Sequence, residues 1–394
     1  MTGRRRGVPT YDAIVVGAGP AGGAAALVLA RIGARVLLVD RSPPPREKTC
    51  GDGLLDDAWK ELGGLGLTAL LGRAAHSVEE LRIWSPGGYG VALRVPIRTL
   101  PRSTLDRILA EAATAEGAEV EPARIVGAVP EPPGVRVAAA DGRTWRARIA
   151  VVATGALQAL APRTARPSGR PAPDAVALRG YATGPADLPF AAVTYDRSVL
   201  PGYGWVFPLG GRRFNVGCGA FRTRRAETPL HRTLERLRAT SPALGELRGR
   251  IAWEGPPRAA PIRCGPPARP PVDPGPVVWA GEALGTSYPF TAEGIGPALE
   301  SGRKAGDAAA GFLAHGARAL EAYRRWVRTE LARRYASYRV AERWLARPGL
   351  CDLLARRAQQ SPRLRNLAAG IVAGATPPRA LFSPWGLVRV LLGL

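Results

Sequence analysis

Tyr11–Asp40 reads YDAIVVGAGPAGGAAALVLARIGARVLLVD, and its parts fall in the order of one complete dinucleotide-binding βαβ unit. The apolar run Ala13–Val16 predicts a buried strand, Gly17, Gly19 and Gly22 form G-x-G-x-x-G, Ala24–Arg31 opens a helix, and Arg35–Val39 predicts a second strand ending at acidic Asp40. Each glycine is needed for a different physical reason. Gly17 permits the tight turn, Gly19 lets backbone approach a pyrophosphate, and Gly22 allows close helix–strand packing. The helix start offers unpaired N–H groups and a positive dipole end to phosphate. Asp40 stands where a ribose hydroxyl is held.

Around this unit the composition sets bounds. A chain of 394 residues, 46% of them hydrophobic, can bury a large core and suggests about two structural units. The formal charge of +23 invites a nucleic-acid reading. Its basic residues are scattered and almost all arginine, however, with Lys48, Lys60 and Lys304 the only lysines and no basic block interleaved with aromatics. Nucleic acid is therefore not an expected partner, whereas anionic lipid or an acidic electron-donor protein stays open. Cys50, Cys218, Cys264 and Cys351 lie far apart without metal-ligand spacing, so neither a metal site nor a disulfide framework is expected. The residues after Met1 form no signal sequence, and no apolar run reaches the ~18 residues of a membrane span. A cytoplasmic protein is expected.

Beyond Asp40 a proline-rich loop, RSPPPREKTCGDGLL, leads to a helix over about Asp56–Leu65. Val78–Val95 alternates and carries three glycines, as a hairpin does. Arg102–Ala115 has apolar residues at Leu105, Ile108, Leu109 and Ala112 and predicts an amphipathic helix. Short strands are expected near Glu119, Val135 and Ile149, then at Ala175–Tyr181, Ala191–Tyr195, Gly204–Pro208 and Phe214–Gly219. Val277–Ala280 is a further buried strand, followed by a glycine-punctuated loop and a helix starting near Glu293. From about Ala317 the pattern is helical, with Tyr323, Trp326, Tyr335, Tyr338 and Trp344 read as core. The fold class is α/β: a Rossmann-type nucleotide-binding domain (10–75, 100–156 and 275–316), an inserted antiparallel β-sheet substrate domain (76–99 and 157–274), and a C-terminal helical region (317–394).

Four segments together resemble the geranylgeranyl reductase family of FAD-dependent oxidoreductases, within the group that includes aromatic hydroxylases and flavin-dependent halogenases. They are GAGPAG with Asp40; REKTCGDGL (Arg46–Leu54), similar to a basic-x-Cys-Gly loop beside the flavin; PGYGWVFPLGGRRFNVGCG (Pro201–Gly219), similar to Y-x-W-x-F-P and a glycine-flanked strand; and GEALGTSYPFTAEGI (Gly281–Ile295), similar to G-D-A-A-G-x-x-x-P-F-x-G-E-G-I. The resemblance covers about residues 10–310. It implies FAD held by Gly17, Gly19, Pro20, Ala21, Gly22, Asp40, Arg41, Lys48, Cys50, Gly51, Arg102, Gly281, Glu282, Pro289, Gly294 and Ile295. Arg102 matches an arginine near the adenosine pyrophosphate, with Asp106 as its support; the bland alternative is a solvated surface arginine. Glu282 stands where the family has Asp, and Ala292 where it has Gly.

The activity so implied is reduction of C=C bonds of a lipophilic polyprenyl chain, on a geranylgeranyl group or a quinone tail, with hydride from reduced flavin and a proton from a nearby donor. Cys50 is the first candidate donor, with Tyr203 or Tyr288 as a second; Cys50 is otherwise a small packing residue or a redox thiol. Tyr203, Trp205, Phe207, Tyr288 and Phe290 are expected to contact substrate. The alternative is a monooxygenase or halogenase acting on an aromatic natural product, since one fold hosts all these reactions. Related hydroxylases carry a D-G motif for NADPH where this chain reads VVATGALQAL with Thr154–Gly155, so electrons come either from NAD(P)H bound transiently or from a ferredoxin-like protein. ALFSPWGLVRVLLGL at the C-terminus either packs on the body or rests peripherally on a membrane.

Overall fold

Ala13, Ile14, Val15, Leu37 and Leu38 are all essentially inaccessible, the burial expected of strands covered on both faces of a parallel sheet. The computed structural model describes residues 10–157, 173–221, 230–265 and 275–392. The N-terminal arginine run, the end of VVATGALQAL, the domain edges expected at 157–274 where they fall in 158–172 and 266–274, and the last two residues lie outside the described residues.

The first part of the chain comprises β1 (Thr10–Val16), α1 (Pro20–Arg31), β2 (Val36–Asp40), β3 (Gly53–Leu54), α2 (Asp56–Gly64), α3 (Thr68–Gly72), β4 (His76–Trp84), β5 (Gly90–Thr99), α4 (Arg102–Ala115), β6 (Glu119–Pro122), β7 (Ile125–Glu131), β8 (Gly134–Ala139) and β9 (Thr144–Val152). The middle carries β10 (Ala175–Thr183), β11 (Ala191–Thr194), β12 (Tyr203–Gly210), β13 (Arg213–Phe221), α5 (Leu230–Thr240), β14 (Ala252–Trp253), β15 (Arg258–Ile262) and β16 (Val277–Trp279). Helices follow: α6 (Ile295–His315), α7 (Ala319–Trp326), a π-helical turn at Val327–Leu331, α8 (Ala332–Leu345), α9 (Pro348–Gln360), α10 (Pro362–Val372) and α11 (Pro384–Leu392).

Two sheets organise these elements. The first runs β6-β2-β1-β9-β8-β7, with β16 alongside the C-terminal half of β9. β1 is parallel to β2 (Val15 opposite Leu38) and to β9 (Val15 opposite Val151), and β16 extends the parallel set (Val278 opposite Val151). Gly17 has φ +107°, and a Cβ there would lie 2.3 Å from the Ala153 carbonyl oxygen, so only glycine lets the turn after β1 pass the end of β9. The second sheet runs β14-β10-β13-β12-β11-β4-β5-β3, with β15 against β10. It is antiparallel except where β11 meets β4 (Val193 opposite Ile83).

α4 starts and ends where its apolar spacing predicts. β7 and β15 were not legible, because their residues are mostly half-exposed and proline-bearing, without the buried alternation that marks β5. The C-terminal helices close over the last cofactor-like segment: Tyr288 stacks on Tyr338 with centroids 4.2 Å apart, and Phe290 lies 5.7 Å from the same ring. Tyr323, Trp326, Tyr335 and Tyr338 are core, and Trp344 is half-buried against Phe382. Near the C-terminus Leu381, Phe382 and Val390 are buried while Trp385 is 79% exposed.

Candidate functional site

The carboxyl ends of β1 and β2 and one face of the second sheet border a single cavity of about 670 Å³. On the nucleotide side Gly17, Gly19, Pro20 and Ala21 meet Asp40, Arg41, Arg46 and Arg102. Arg102 is buried and holds Asp106 through two bonds of 2.9 Å, while Arg46 reaches the same carboxylate at 2.7 Å and Asp40 at 3.3 Å. Burial works against the Arg102 charge, but Asp106 beside it holds the guanidinium above its usual range. Arg102 is therefore not a solvated surface residue. Asp40 Oδ2 also accepts the Ala18 N–H at 2.7 Å, so the acid at the end of β2 fixes the glycine turn itself.

Three observations show that this side fits FAD. A Cβ on Gly22 would lie 1.7 Å from the Gly17 carbonyl oxygen, whereas one on Gly19 would find its nearest neighbours, the Arg102 and Arg46 guanidinium nitrogens, at 3.5 and 3.8 Å. The protein itself therefore needs glycine at 22, but at 19 it leaves a cradle faced by two arginines, as a pyrophosphate requires. α1 begins at Gly19 with no side-chain cap, leaving its first N–H groups for an anion. The buried hydroxyls of Thr154 and Thr291, which border the cavity, have no hydrogen-bond partner among the described residues. A cofactor rich in hydroxyl and carbonyl groups supplies one. When bound, such a flavin provides two-electron redox chemistry that no side chain here can.

The cysteine loop lies between the two sheets. Cys50 is half-buried and borders the cavity; its Sγ accepts the Asp52 N–H at 3.3 Å, and burial pushes its thiol above the ordinary value. Asp52 was not anticipated from sequence. It is inaccessible, has φ +62°, and its carboxylate accepts from Tyr181 Oη at 2.7 Å, Asn215 Nδ2 at 2.8 Å and the Arg102 N–H at 3.2 Å. Burial lifts it to about 6, against the pull of those donors and of Arg179. Arg179 Nε and Asn215 Nδ2 both donate to the Cys50 carbonyl, and Arg179 also pairs with Glu47.

The wall opposite is apolar. Leu81, Ile83, Ile97 and Val193 from the second sheet face the cavity with Trp205, Phe207 and Val372 of α10. Tyr203 also borders it, but its hydroxyl already donates to the Thr291 carbonyl, and burial followed by the nearby Glu293 raises it well above its ordinary value. Lys48, Gly51, Glu282, Phe290, Gly294 and Ile295 line the cavity too. Glu282 accepts the Arg263 N–H at 3.0 Å. Four expected site residues do not line it. Gly22 and Gly281 serve packing, a Cβ on Gly281 lying 2.7 Å from that of Ala21, while Tyr288 is drawn into the stack with Tyr338, and Pro289 precedes Phe290 outside the lining. Sequence reading also missed Arg46, Asn215 and Arg179.

Comparison with known proteins agrees with this geometry. Residues 10–155 match a family model described as an FAD binding domain. A menaquinone reductase of Mycolicibacterium smegmatis is 35% identical over 322 residues, 75% of either chain. Digeranylgeranylglycerophospholipid reductase 1 of Methanopyrus kandleri is 31% identical over 316 residues, 76% of this chain and 80% of the relative. The solved structure of a geranylgeranyl bacteriochlorophyll reductase-like protein from Thermoplasma acidophilum superposes with a TM-score of 0.79 at 22% identity, covering 98% of this chain and 100% of that one. A flavin-dependent brominase superposes with a TM-score of 0.74 at 16% identity over 98% of each chain. These two structures share the fold.

Proposed function

This chain belongs to the geranylgeranyl reductase family of FAD-dependent oxidoreductases, and from that premise we propose that it saturates C=C bonds of a polyprenyl chain carried by a quinone or a glycerophospholipid. The observation that carries the substrate reading is the continuity of the cavity from the Gly19–Arg102 cradle to the wall of Leu81, Ile83, Ile97, Val193 and Val372. An isolated alkene has no polar handle, so a site that reduces it must hold it by apolar contact and keep water away. The wall does the first, and the neighbouring Trp205 and Phe207 rings contribute to the second.

In this reading Arg102, Arg46 and the N-terminus of α1 hold the pyrophosphate, and the loop from Lys48 to Gly51 lies along the flavin. Asn215 and Arg179 set the height of that loop through the Cys50 carbonyl. Cys50 contacts substrate there, and Tyr203 fixes the Phe290–Ala292 turn through its bond to Thr291. Electrons come from NAD(P)H or from a ferredoxin-like protein, whose acidic surface the net charge of +23 would attract. No helix among the described residues is long and apolar enough to cross a membrane. The outward Trp385 and Val388 of α11 offer a peripheral contact for reaching lipid-borne substrates. Deleting 383–394 and measuring liposome co-sedimentation tests that contact, and undiminished binding would refute it.

The function is tested anaerobically. The holoprotein is photoreduced and mixed with a menaquinone or a geranylgeranylated glycerophospholipid, and the flavin absorbance is followed. Reoxidation by the prenylated compound, with a saturated prenyl chain in the product, supports the reading. Reoxidation that waits for oxygen, with aromatic substrates turned over instead, would move the assignment to a monooxygenase or halogenase.

A further inference from the structure

Adding hydrogen across an isolated C=C needs an acid as well as a hydride, and the cavity borders on five carboxyl groups: Asp40, Glu47, Asp52, Glu282 and Glu293. Four are occupied. Asp40 accepts from the Ala18 and Ser42 N–H groups and pairs with Arg46; Glu47 pairs with Arg179 at 3.0 Å; Asp52 accepts three hydrogen bonds; Glu282 accepts from the Arg263 N–H. Each of these contacts favours the carboxylate over the acid. Among the described residues the Glu293 side chain has no hydrogen-bond or ion-pair partner.

Its place in the fold is fixed by its neighbours. The Tyr288 N–H donates to the Glu293 carbonyl at 2.8 Å, which closes the turn carrying Phe290 and Ala292, both at positive φ. Gly294, the next residue, starts α6 without a side-chain cap. The Glu293 carboxyl is near enough for its charge to act on Tyr195 and Tyr203, two rings 6.0 Å apart on the cavity wall. The three other candidate donors are less suited, Tyr288 being stacked on Tyr338 outside the cavity lining. The Tyr203 hydroxyl is engaged with Thr291, and Cys50 is a thiol weakened as an acid by burial.

We propose that Glu293 is the catalytic acid of this site, protonating the alkene carbon remote from the one that receives hydride; the role rests on the prenyl-reductase reading given above. In the step the C=C π bond breaks, one carbon takes a hydride whose electron pair comes from reduced flavin, and the other takes the proton as the Glu293 O–H bond breaks. The products are a saturated C–C unit, oxidised flavin and a Glu293 carboxylate, which water reprotonates. Burial, with Asp57 adding its charge, holds the Glu293 carboxyl well above the ordinary range, which favours the acid form. The uncapped start of α6 then favours the carboxylate that the step leaves behind.

The test compares wild type, Glu293→Gln and Glu293→Asp as holoproteins, with two readouts. In single turnover of the photoreduced enzyme with a menaquinone, Glu293→Gln is expected to keep its flavin and to slow tail saturation by about 100-fold or more, the usual range for removal of a general acid. Glu293→Asp, which keeps the acid, should recover part of the rate. Infrared difference spectra of wild type minus Glu293→Gln, taken at neutral pH on both the FAD-free and the loaded protein, should show the carbonyl band of a protonated carboxylic acid that moves in heavy water. Wild-type tail saturation matched by Glu293→Gln, or absence of that band, overturns the role of Glu293 alone. A wild type that never saturates the tail overturns the prenyl-reductase reading and this step with it. Should Glu293→Gln fail to fold, Glu293→Ala, which also lacks the acid, takes its place in both readouts.

Discussion

Asn215 Nδ2 donates to Asp52 Oδ2 at 2.8 Å, and this bond joins the middle of β13 to the cysteine loop. The same amide group donates to the Cys50 carbonyl at 2.7 Å, while its oxygen accepts from Trp205 Nε1 at 2.9 Å. An indole N–H can only donate, so the amide orientation follows from its partners. One fully buried side chain thus sets the cysteine loop against the apolar wall.

Asn215→Leu is therefore expected to remove three hydrogen bonds and to leave the buried Trp205 indole N–H without its acceptor, an unpaired group worth about 1–3 kcal/mol. The melting temperature of the holoprotein should fall by several degrees and Cys50 should become more reactive toward a thiol reagent, the other three cysteines being buried. Unchanged melting and thiol reactivity would refute the linkage.

The three glycines of the first turn should separate experimentally. Gly19→Val should fold normally, since protein atoms leave room for a side chain there, yet should not retain FAD. Gly22→Val would drive side-chain atoms into the Gly17 carbonyl and is expected to yield little soluble protein. Absorbance of the purified variants checks this; a fully yellow Gly19→Val would remove the pyrophosphate from the cradle.

Asp52 titrates at about 6 in the folded chain, above its ordinary 3.8. The fold then binds this proton more tightly than the unfolded chain does, so the group's stabilising contribution is full below about 4 and is lost as pH rises through 6. The rise from 3.8 to about 6 corresponds to about 3 kcal/mol. Asp52→Asn cannot titrate, so its melting temperature should vary less than that of wild type between pH 4 and about 6.5. Parallel profiles for the two proteins would contradict the assignment.

Ala292 adopts φ +54°, a left-handed backbone that costs an L-residue about 1–2 kcal/mol. Glycine has no such cost but loses more chain entropy, about 0.5–1 kcal/mol. Ala292→Gly should accordingly raise holoprotein stability slightly, by about 0.5 kcal/mol. A lower melting temperature would show that the Ala292 methyl contributes packing.

What could be read from sequence followed from periodicity and glycine spacing. Gly17, Gly19 and Gly22 have separate steric reasons visible in the pattern, and the Leu105, Ile108, Leu109 spacing located α4 and, with it, Arg102. Asp52 and Asn215 had no comparable signal. Each is a single polar residue whose burial arises only when β10, β12 and β13 align beside the cysteine loop; the one local hint was an aspartate flanked by Gly51 and Gly53. Glu293 was legible as the start of a helix but not as a carboxyl without a partner, which depends on where Arg334, Arg263 and Arg179 direct their guanidinium groups. Tyr288 looked like a pocket residue because it adjoins Pro289 and Phe290, yet the distant Tyr338 captures its ring.

Saturation of the prenyl chain is read from the product of one anaerobic turnover with a menaquinone, analysed by mass spectrometry with fragmentation of ring and tail. Two added hydrogens are expected in the prenyl chain, with the quinone ring unchanged. An intact unsaturated tail, with flavin reoxidised by ring reduction or only by oxygen, would contradict that expectation.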